Sequence, residues 1–362
     1  MDDSPICTKR IKLADPADKA EDRATDVQSQ DESDGKSVVF KQHPALEDQG
    51  KHEIEVLDKD YESAISWKTC TKNPGHFDFI PTAKFSQENL PEKFRDEDIY
   101  QFIKSWALLT VRLVTTFVSR DRTEKSPFFS SRGTYFPRTG TGKVTDVYHF
   151  DDEDTPCPCQ ECASSKTPAK IWKAIWIMTA MHVVFDDTEV ESTTVDFFYE
   201  DEESKSDIVK LKGLRVVDFN LDGDWCKFEC ATHDLDFAQR IEDALSPMMD
   251  LGEKIQEKFE DDDDLNMAVI ASHPHGCAKC ITVGKWSDVR KFEKKNDNVR
   301  WTTYSYTTAT CKGSSGAPVW ILGTDRRHMY AYYSHVHSEG GDPTTGEPNK
   351  SGAGDVLKTW EI

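Results

Sequence analysis

Long apolar runs are missing from this chain of 362 residues: no stretch is apolar enough to span a bilayer, so no membrane partner is expected. The opening Met1-Asp2-Asp3-Ser4-Pro5 has no apolar core, so no secretory leader is expected either. Basic residues are in deficit, 45 against 66 acidic ones, for a net charge of −21. A field of that sign repels phosphate, which argues against nucleic acid as a partner. Ten cysteines without an export signal read as thiols or metal ligands rather than disulfides, and they suggest a reducing setting, cytoplasm or nucleus. Aromatic residues are almost absent from residues 1–37, which are rich in Asp, Glu, Lys, Ser and Ala, so a disordered acidic tail is expected there. Within it, Lys9-Arg10-Ile11-Lys12-Leu13 reads as a nuclear-import signal or as a solvated basic cluster. No internal repeat stands out.

The rest of the chain has enough alternating, β-branched sequence for an all-β core. Residues 38–106 form an N-terminal extension, either a unit of its own or a brace on that core, with Trp67, Phe77, Phe79 and Phe85 as apolar anchors. It ends in a helix over about 96–108, because acids crowd its first turn and Ile99, Phe102, Ile103 and Trp106 share one face. Strands are expected at 111–117, 171–178, 194–199, 208–219 and 225–230. Residues 107–240 and 265–362 are thus two β-rich segments, which a family resemblance implies are a first and a second barrel. Between them, 241–264 carries Ile241, Leu245, Met248, Leu251, Ile255 and Phe259 at helical steps and reads as an inter-barrel connection. The run Asp261-Asp262-Asp263-Asp264 lacks the glycine and spaced ligands of a calcium loop and reads as a solvated linker.

Chemistry concentrates in three segments. In Cys311-Lys312-Gly313-Ser314-Ser315-Gly316-Ala317-Pro318, two glycines permit a tight turn that aims one hydroxyl outward and converges the amides of Gly313 and Ser315 on one point, an oxyanion hole. A hydroxyl is a poor nucleophile at neutral pH and needs a base. The strand 171–178 runs into Thr179-Ala180-Met181-His182, where an imidazole at a strand end suits that task. Between them lies Thr232-His233-Asp234-Leu235-Asp236-Phe237-Ala238, where an acid followed by a large apolar residue and alanine resembles the peptidase segment that carries an orienting carboxylate, with Asp236 in that place and Asp234 as its substitute.

The chain order His182, Asp236, Ser315 resembles that of trypsin-like serine peptidases of the chymotrypsin superfamily, and uncharacterised invertebrate members most closely. The resemblance covers about residues 107–360 and extends to Gly140-Thr141-Gly142 and to His273-Pro274-His275-Gly276. It implies two six-stranded antiparallel β-barrels with the site in the cleft between them, peptide hydrolysis through an acyl-enzyme, a polypeptide substrate, and no cofactor in the chemistry. Two departures matter. Ser314 stands where secreted relatives carry the aspartate of their activation switch, so no such switch is expected. Ala309 stands where trypsin keeps its acidic specificity residue, which disfavours a Lys or Arg preference. The segment Tyr330 to Gly341 would then wall the substrate pocket, and His335 or His337 is placed to read Glu or Gln, because an imidazole can donate to a side-chain oxygen.

Cysteine clusters supply the remaining chemistry. Cys157, Cys159 and Cys162 have the spacing of a structural zinc hairpin, with His149 or a member of the Cys277/Cys280 pair as fourth ligand. Against the endopeptidase stand two other readings: a catalytically silent domain of this fold that binds protein, and a scaffold whose acidic tail recruits basic partners. The sequence does not fix the oligomeric state.

Overall fold

The computed structural model describes residues 48–57, 63–203, 205–259, 262, 264–293, 299–322 and 335–357. The expected tail at 1–37 and its basic cluster lie outside the described residues, as do residues 330–334 of the expected pocket wall and part of the aspartate run.

Two antiparallel barrels make up the core. The strands in chain order are β1 (Glu55–Val56), β2 (Ile80–Pro81), β3 (Thr110–Phe117), β4 (Tyr135–Phe150), β5 (Trp172–Thr179), β6 (Thr193–Phe197), β7 (Val209–Asn220), β8 (Trp225–Thr232), β9 (Met267–Ser272), β10 (Cys280–Glu293), β11 (Val299–Tyr306), β12 (Val319–Ile321), β13 (His337–Glu339), β14 (Asn349–Ser351) and β15 (Gly354–Leu357). In the first barrel the order β4-β3-β6-β7-β8-β5 returns to β4, closing a ring of six strands. The long β4 makes this possible: its first half pairs with β3 and its second half with β5, the pairing shifting between Val144 and Asp146. The second barrel runs β12-β9-β10-β11-β14-β13, and a bridge between Pro318 and Val336 brings its two ends together. Closure removes the unpaired edges that open sheets expose.

The extension is a brace on both barrels. Its strand β1 pairs with β4 of the first barrel, and β2 pairs with β10 of the second.

Among the described residues there are also seven short 3-10 turns and five α-helices: α1 (Ser63–Lys68), α2 (Glu97–Leu108), α3 (Gln160–Ala163), α4 (Asp187–Glu191) and α5 (Leu235–Lys258). Helix α2 begins because the Asp96 side chain accepts from the amides of Asp98 and Ile99. It buries Ile99, Phe102, Ile103 and Trp106, the predicted face, each contributing about 1.5–3 kcal/mol of transfer free energy. Phe102 meets Trp320 of β12 at 4.5 Å between ring centroids. Helix α5 starts earlier than expected. The first barrel's last strand ends at Thr232, Asp234 caps the next element by accepting from Phe237 N at 3.0 Å, and the helix runs from Leu235. Residues 235–240 therefore belong to the connection, not to the barrel.

Candidate active site

Ser315 sits in a turn that only glycines permit. Gly313 has φ +92° and Gly316 φ +81°, and a Cβ on them would collide with His273 O and Thr179 Oγ1. The first barrel holds this loop of the second: Thr141, in the Gly140-Thr141-Gly142 stretch of β4, donates its amide to Ser315 O and its hydroxyl to Gly313 O, both at 2.8 Å. The Ser314 hydroxyl turns inward to Ser272 Oγ at 3.1 Å, so the turn is built without an ion pair at that position.

His182 follows β5 on a tight turn. Arg122 donates to its carbonyl at 3.0 Å, and Arg122 and Arg138 both grip the fully buried Glu189, at 2.6 and 2.7 Å. Burial raises the Glu189 carboxyl, but the two guanidiniums overcome this and hold it down at about 2. An ionised core thus anchors the imidazole's backbone.

The carboxylate at His182 is Asp224, not Asp236. Asp224 Oδ2 lies 2.7 Å from His182 Nδ1, and Oδ1 accepts from the His182 amide at 3.1 Å. Asp224 ends the β7–β8 hairpin turn, in a left-handed conformation at φ +52° that aspartate tolerates better than most residues. Ser338 donates to the same carboxylate, and Ala353 N pins the turn through Gly223 O at 2.8 Å. Asp236 is instead in the first turn of α5, behind its cap Asp234, where a carboxylate suits the helix dipole. The only sequence signal for Asp224 is Asp222-Gly223-Asp224 between two strands, which reads as plain turn chemistry.

Burial lowers the His182 pKa to about 4, partly offset by Asp224; the Asp224 carboxyl is raised by burial but brought to about 2 by the imidazole. The pair is therefore neutral imidazole with carboxylate, Nδ1–H donating. His182 Nε2 has no hydrogen-bond partner among the described residues.

Residues 51–53 occupy the groove in front of these groups. The Glu53 carbonyl accepts from Gly313 N at 2.7 Å and Ser315 N at 3.2 Å, so the two amides do converge on one oxygen. Glu53 N donates to Ser315 Oγ at 2.8 Å. The preceding His52 stacks on His182 at 3.9 Å between centroids and bonds Ser338 O at 2.9 Å. Lys51 O accepts from Gly340 N at 2.8 Å. Consecutive residues therefore meet the two groups, His52 through its ring on His182 and Glu53 through its backbone on Ser315.

The Glu53 side chain enters a pocket of the second barrel. Its Oε2 lies 2.7 Å from His337 Nε2 and its Oε1 2.5 Å from Lys72 Nζ. Lys72 is itself held by Thr310 Oγ1 and Asn349 Oδ1, each at 3.1 Å. Tyr306 OH lies 2.6 Å from His337 Nδ1, and burial, then the Glu53 charge, keeps that phenol neutral. We assign the phenol as donor to Nδ1, which leaves Nε2–H to donate to the carboxylate. Burial would raise the Glu53 carboxyl, but His337 and Lys72 bring it down to about 2. Of the three predicted pocket residues only His337 reaches Glu53. His335 Nε2 is bonded to Thr302 Oγ1 at 2.8 Å, and Ala309 packs beside Phe79, Cys280 and Cys311.

Two sulfur-rich clusters lie outside these groups, the first at the far end of β5 and β8 from His182 and Asp224. Cys157, Cys159 and Cys162 meet His233, whose Nδ1 is 3.9, 3.5 and 3.5 Å from the three Sγ atoms. The fourth member is thus His233 on the residue after β8; His149 is exposed on β4, and Cys280 Sγ bonds Ala278 O. A second group, Cys70, His76, His275 and Cys311, has its ligand atoms within 4.8 Å of one another.

No family model and no curated protein sequence matches the chain. Among solved structures, it is similar to the Rv3671c protease of M. tuberculosis in its active form, at 12% identity over 72% of this chain and 80% of that one, with a TM-score of 0.33. The MamO protease domain of Magnetospirillum magneticum, apo form, is 9% identical over 70% and 94%, with a TM-score of 0.33. The HtrA-type protease AlgW with a tripeptide is 9% identical over 72% of this chain and 59% of its own, with a TM-score of 0.34. Likenesses this distant decide nothing about chemistry, which rests on the side chains of the site.

Proposed function

We propose that this protein is a serine endopeptidase that cuts polypeptides after glutamate, through His182, Asp224 and Ser315. One observation carries it: the carbonyl of Glu53 lies between the amides of Gly313 and Ser315 while its carboxylate fills a pocket built from His337 and Lys72. An acyl donor would be held there with its carbonyl polarised and its side chain read. Ser315 Oγ would attack that carbon as its proton passes to His182 Nε2, the imidazole nitrogen left open by the Asp224 bond. Asp224 steadies the imidazolium, which protonates the leaving amine; water then releases the acyl group by the same relay in reverse. A cationic pocket fits the disfavoured Lys or Arg preference.

The three thiols and His233 would hold a structural zinc in a set of three cysteines and one histidine, outside the chemistry. Thiolate ligands of this kind fit a reducing compartment such as cytoplasm or nucleus.

A second reading, the silent binding module, is favoured by the engagement of Ser315 Oγ with Glu53 N while His182 Nε2 has no partner among the described residues. A fluorophosphonate probe with a peptide library separates the two. We expect labelling that is lost in Ser315→Ala and His182→Ala, and cleavage after Glu on the order of 100-fold or more above cleavage after Lys, as expected for a pocket that pairs a carboxylate with a fixed ammonium. No labelling of any form would leave the binding module, and cutting after Arg or Lys would contradict the pocket.

A further inference from the structure

We propose that the segment in the groove is this enzyme's own first substrate, and that Ser315 cuts the Glu53–Ile54 bond of its own chain. This rests on the serine-endopeptidase reading. Lys51 O, the Glu53 carbonyl and the Glu53 carboxylate each have a dedicated partner, in Gly340 N, the Gly313 and Ser315 amides, and His337 with Lys72. Gly340 is needed for this fit, because a Cβ there would lie 2.5 Å from Glu53 Cδ. The far side of the bond is held too: Ile54 is fully buried, β1 pairs with β4, and Leu57 N bonds Pro137 O at 3.0 Å. Both flanks of one peptide bond are fixed with its carbonyl on the converging amides.

The step balances as ordinary hydrolysis. Ser315 Oγ forms an ester with the Glu53 carbonyl carbon, and the hydroxyl proton travels through His182 to the Ile54 nitrogen as the C–N bond breaks. Water then cleaves the ester, returning a proton to Ser315 and leaving a Glu53 carboxylate and an Ile54 ammonium. Cutting frees residues 1–53, of which His52 covers His182 and Glu53 fills the pocket. Lys72 lies after the cut, so the pocket wall stays with the enzyme.

The test is the full chain, followed by N-terminal sequencing and intact mass, alongside Ser315→Ala and Glu53→Ala. We expect a fragment beginning at Ile54 in the wild type, at a rate independent of protein concentration, and none in either variant. Glu53→Ala should react with the fluorophosphonate faster than the uncut wild type, because its groove is less firmly filled. Labelling of Ser315 without an Ile54 terminus overturns self-cleavage and leaves the endopeptidase standing. No labelling and no fragment in any form overturns both. An Ile54 terminus in Ser315→Ala assigns the cut to another enzyme and overturns the proposal.

A separate observation carries a second inference: Cys70, His76, His275 and Cys311 form a tetrahedral zinc-type site that ties the extension to the loop of Ser315. Cys70 Sγ and Cys311 Sγ are 3.6 Å apart, and Cys311 Sγ is 3.5 Å from His76 Nε2. Zinc with bonds of about 2.0–2.3 Å has tetrahedral edges of roughly 3.3–3.8 Å. His275 is prepared as a ligand: its Nδ1 is 2.8 Å from Glu55 Oε2, while the buried Nε2 has no partner among the described residues. A carboxylate on the far nitrogen is how proteins orient metal-binding imidazoles. The His76 ring is fixed by stacking on Trp67 at 3.9 Å between centroids.

Metal analysis of purified protein tests this. We expect two zinc equivalents per chain, falling to one in Cys70→Ser and to one in Cys159→Ser, and cobalt-substituted protein with the visible bands of tetrahedral coordination. One equivalent in the wild type that is unchanged in folded Cys70→Ser overturns the site. Should that variant fail to fold, X-ray absorption of the wild type decides. One site with two sulfurs and two nitrogens, averaged with one of three sulfurs and one nitrogen, gives about 2.5 sulfur and 1.5 nitrogen ligands per zinc. An average of three sulfurs and one nitrogen overturns it.

Discussion

Two imidazole–carboxylate pairs, each 2.7 Å long, meet residues 52 and 53, the first through the His52 ring and the second through the Glu53 carboxylate, and they are wired oppositely. In His182–Asp224 the carboxylate takes Nδ1–H, so Nε2 is left as a lone pair with no hydrogen-bond partner among the described residues. In His337–Glu53 the phenol of Tyr306 takes Nδ1, so Nε2 becomes the donor and the carboxylate is the group being read. The residue types are alike and the distances are the same. On the proposed reading, what would separate a base from a recognition element is which nitrogen the neighbour occupies.

The sharpest way to break the comparison is Asp224→Asn, which presents an amide donor to Nδ1 and inverts the tautomer of His182. Peptidase kcat should fall on the order of 10⁴-fold, while Asp236→Asn, in the first turn of α5, should stay within about twofold by the same steady-state assay. Equal losses would return the orienting role to Asp236.

On the recognition side, His337→Ala leaves the incoming carboxylate with Lys72 alone. A lost hydrogen bond to a charged group amounts to about 1.5–3 kcal/mol, so kcat/KM for Glu peptides should drop roughly 10- to 150-fold, with little change for Gln peptides. Tyr306→Phe removes only the tautomer lock. We expect a smaller loss, about three- to tenfold in the Glu-over-Ala ratio, read by competition between paired peptides. A Tyr306→Phe enzyme that discriminates as well as wild type would mean that the phenol does not set the donor.

The mildest test uses pH. His182 in the filled groove has its pKa lowered to about 4, so the base is already neutral well below its usual range. Self-cleavage should therefore keep its rate from about pH 7 to about pH 5 and decline about tenfold per unit only below about pH 4. The linked stability has the same sign: folding around a neutral imidazole weakens as pH falls from 6.5 toward about 4, and not above that window. A single-turnover profile with its acid limb near the ordinary imidazole value of about 6.5 would show an imidazole open to water in the reacting state.

How much of this was legible depends on the kind of signal each residue leaves. The serine turn stood out because Gly313 and Gly316 adopt backbone angles closed to other residues, and His182 because it ends a plain apolar strand. The strands were readable in alternation and spacing, whereas their closure into two barrels was implied by the family resemblance alone. Asp236 misled because an acid followed by Phe and Ala also describes the first turn of a capped helix, and Phe237, Ala238 and Ile241 are indeed its buried face. His233 is hidden beside it, inside the acid motif, although its ring is the partner of three thiols. His337 is legible from its strand, whereas Lys72, Glu53, His76 and Cys70 come from the extension and reach the site only through the pairing of β1 and β2 with the two barrels. No local pattern announces a contact made that far along the chain.

The ammonium of Lys72 is tied to Thr310 and Asn349 as well as to Glu53. In the proposed cut form, that positive charge would stay behind in a recess next to His337, without its counter-ion. The vacated recess should then attract small anions, so sulfate, phosphate or free glutamate would slow the mature enzyme in competition with its substrate, and raising the salt would blunt its choice of acidic side chains.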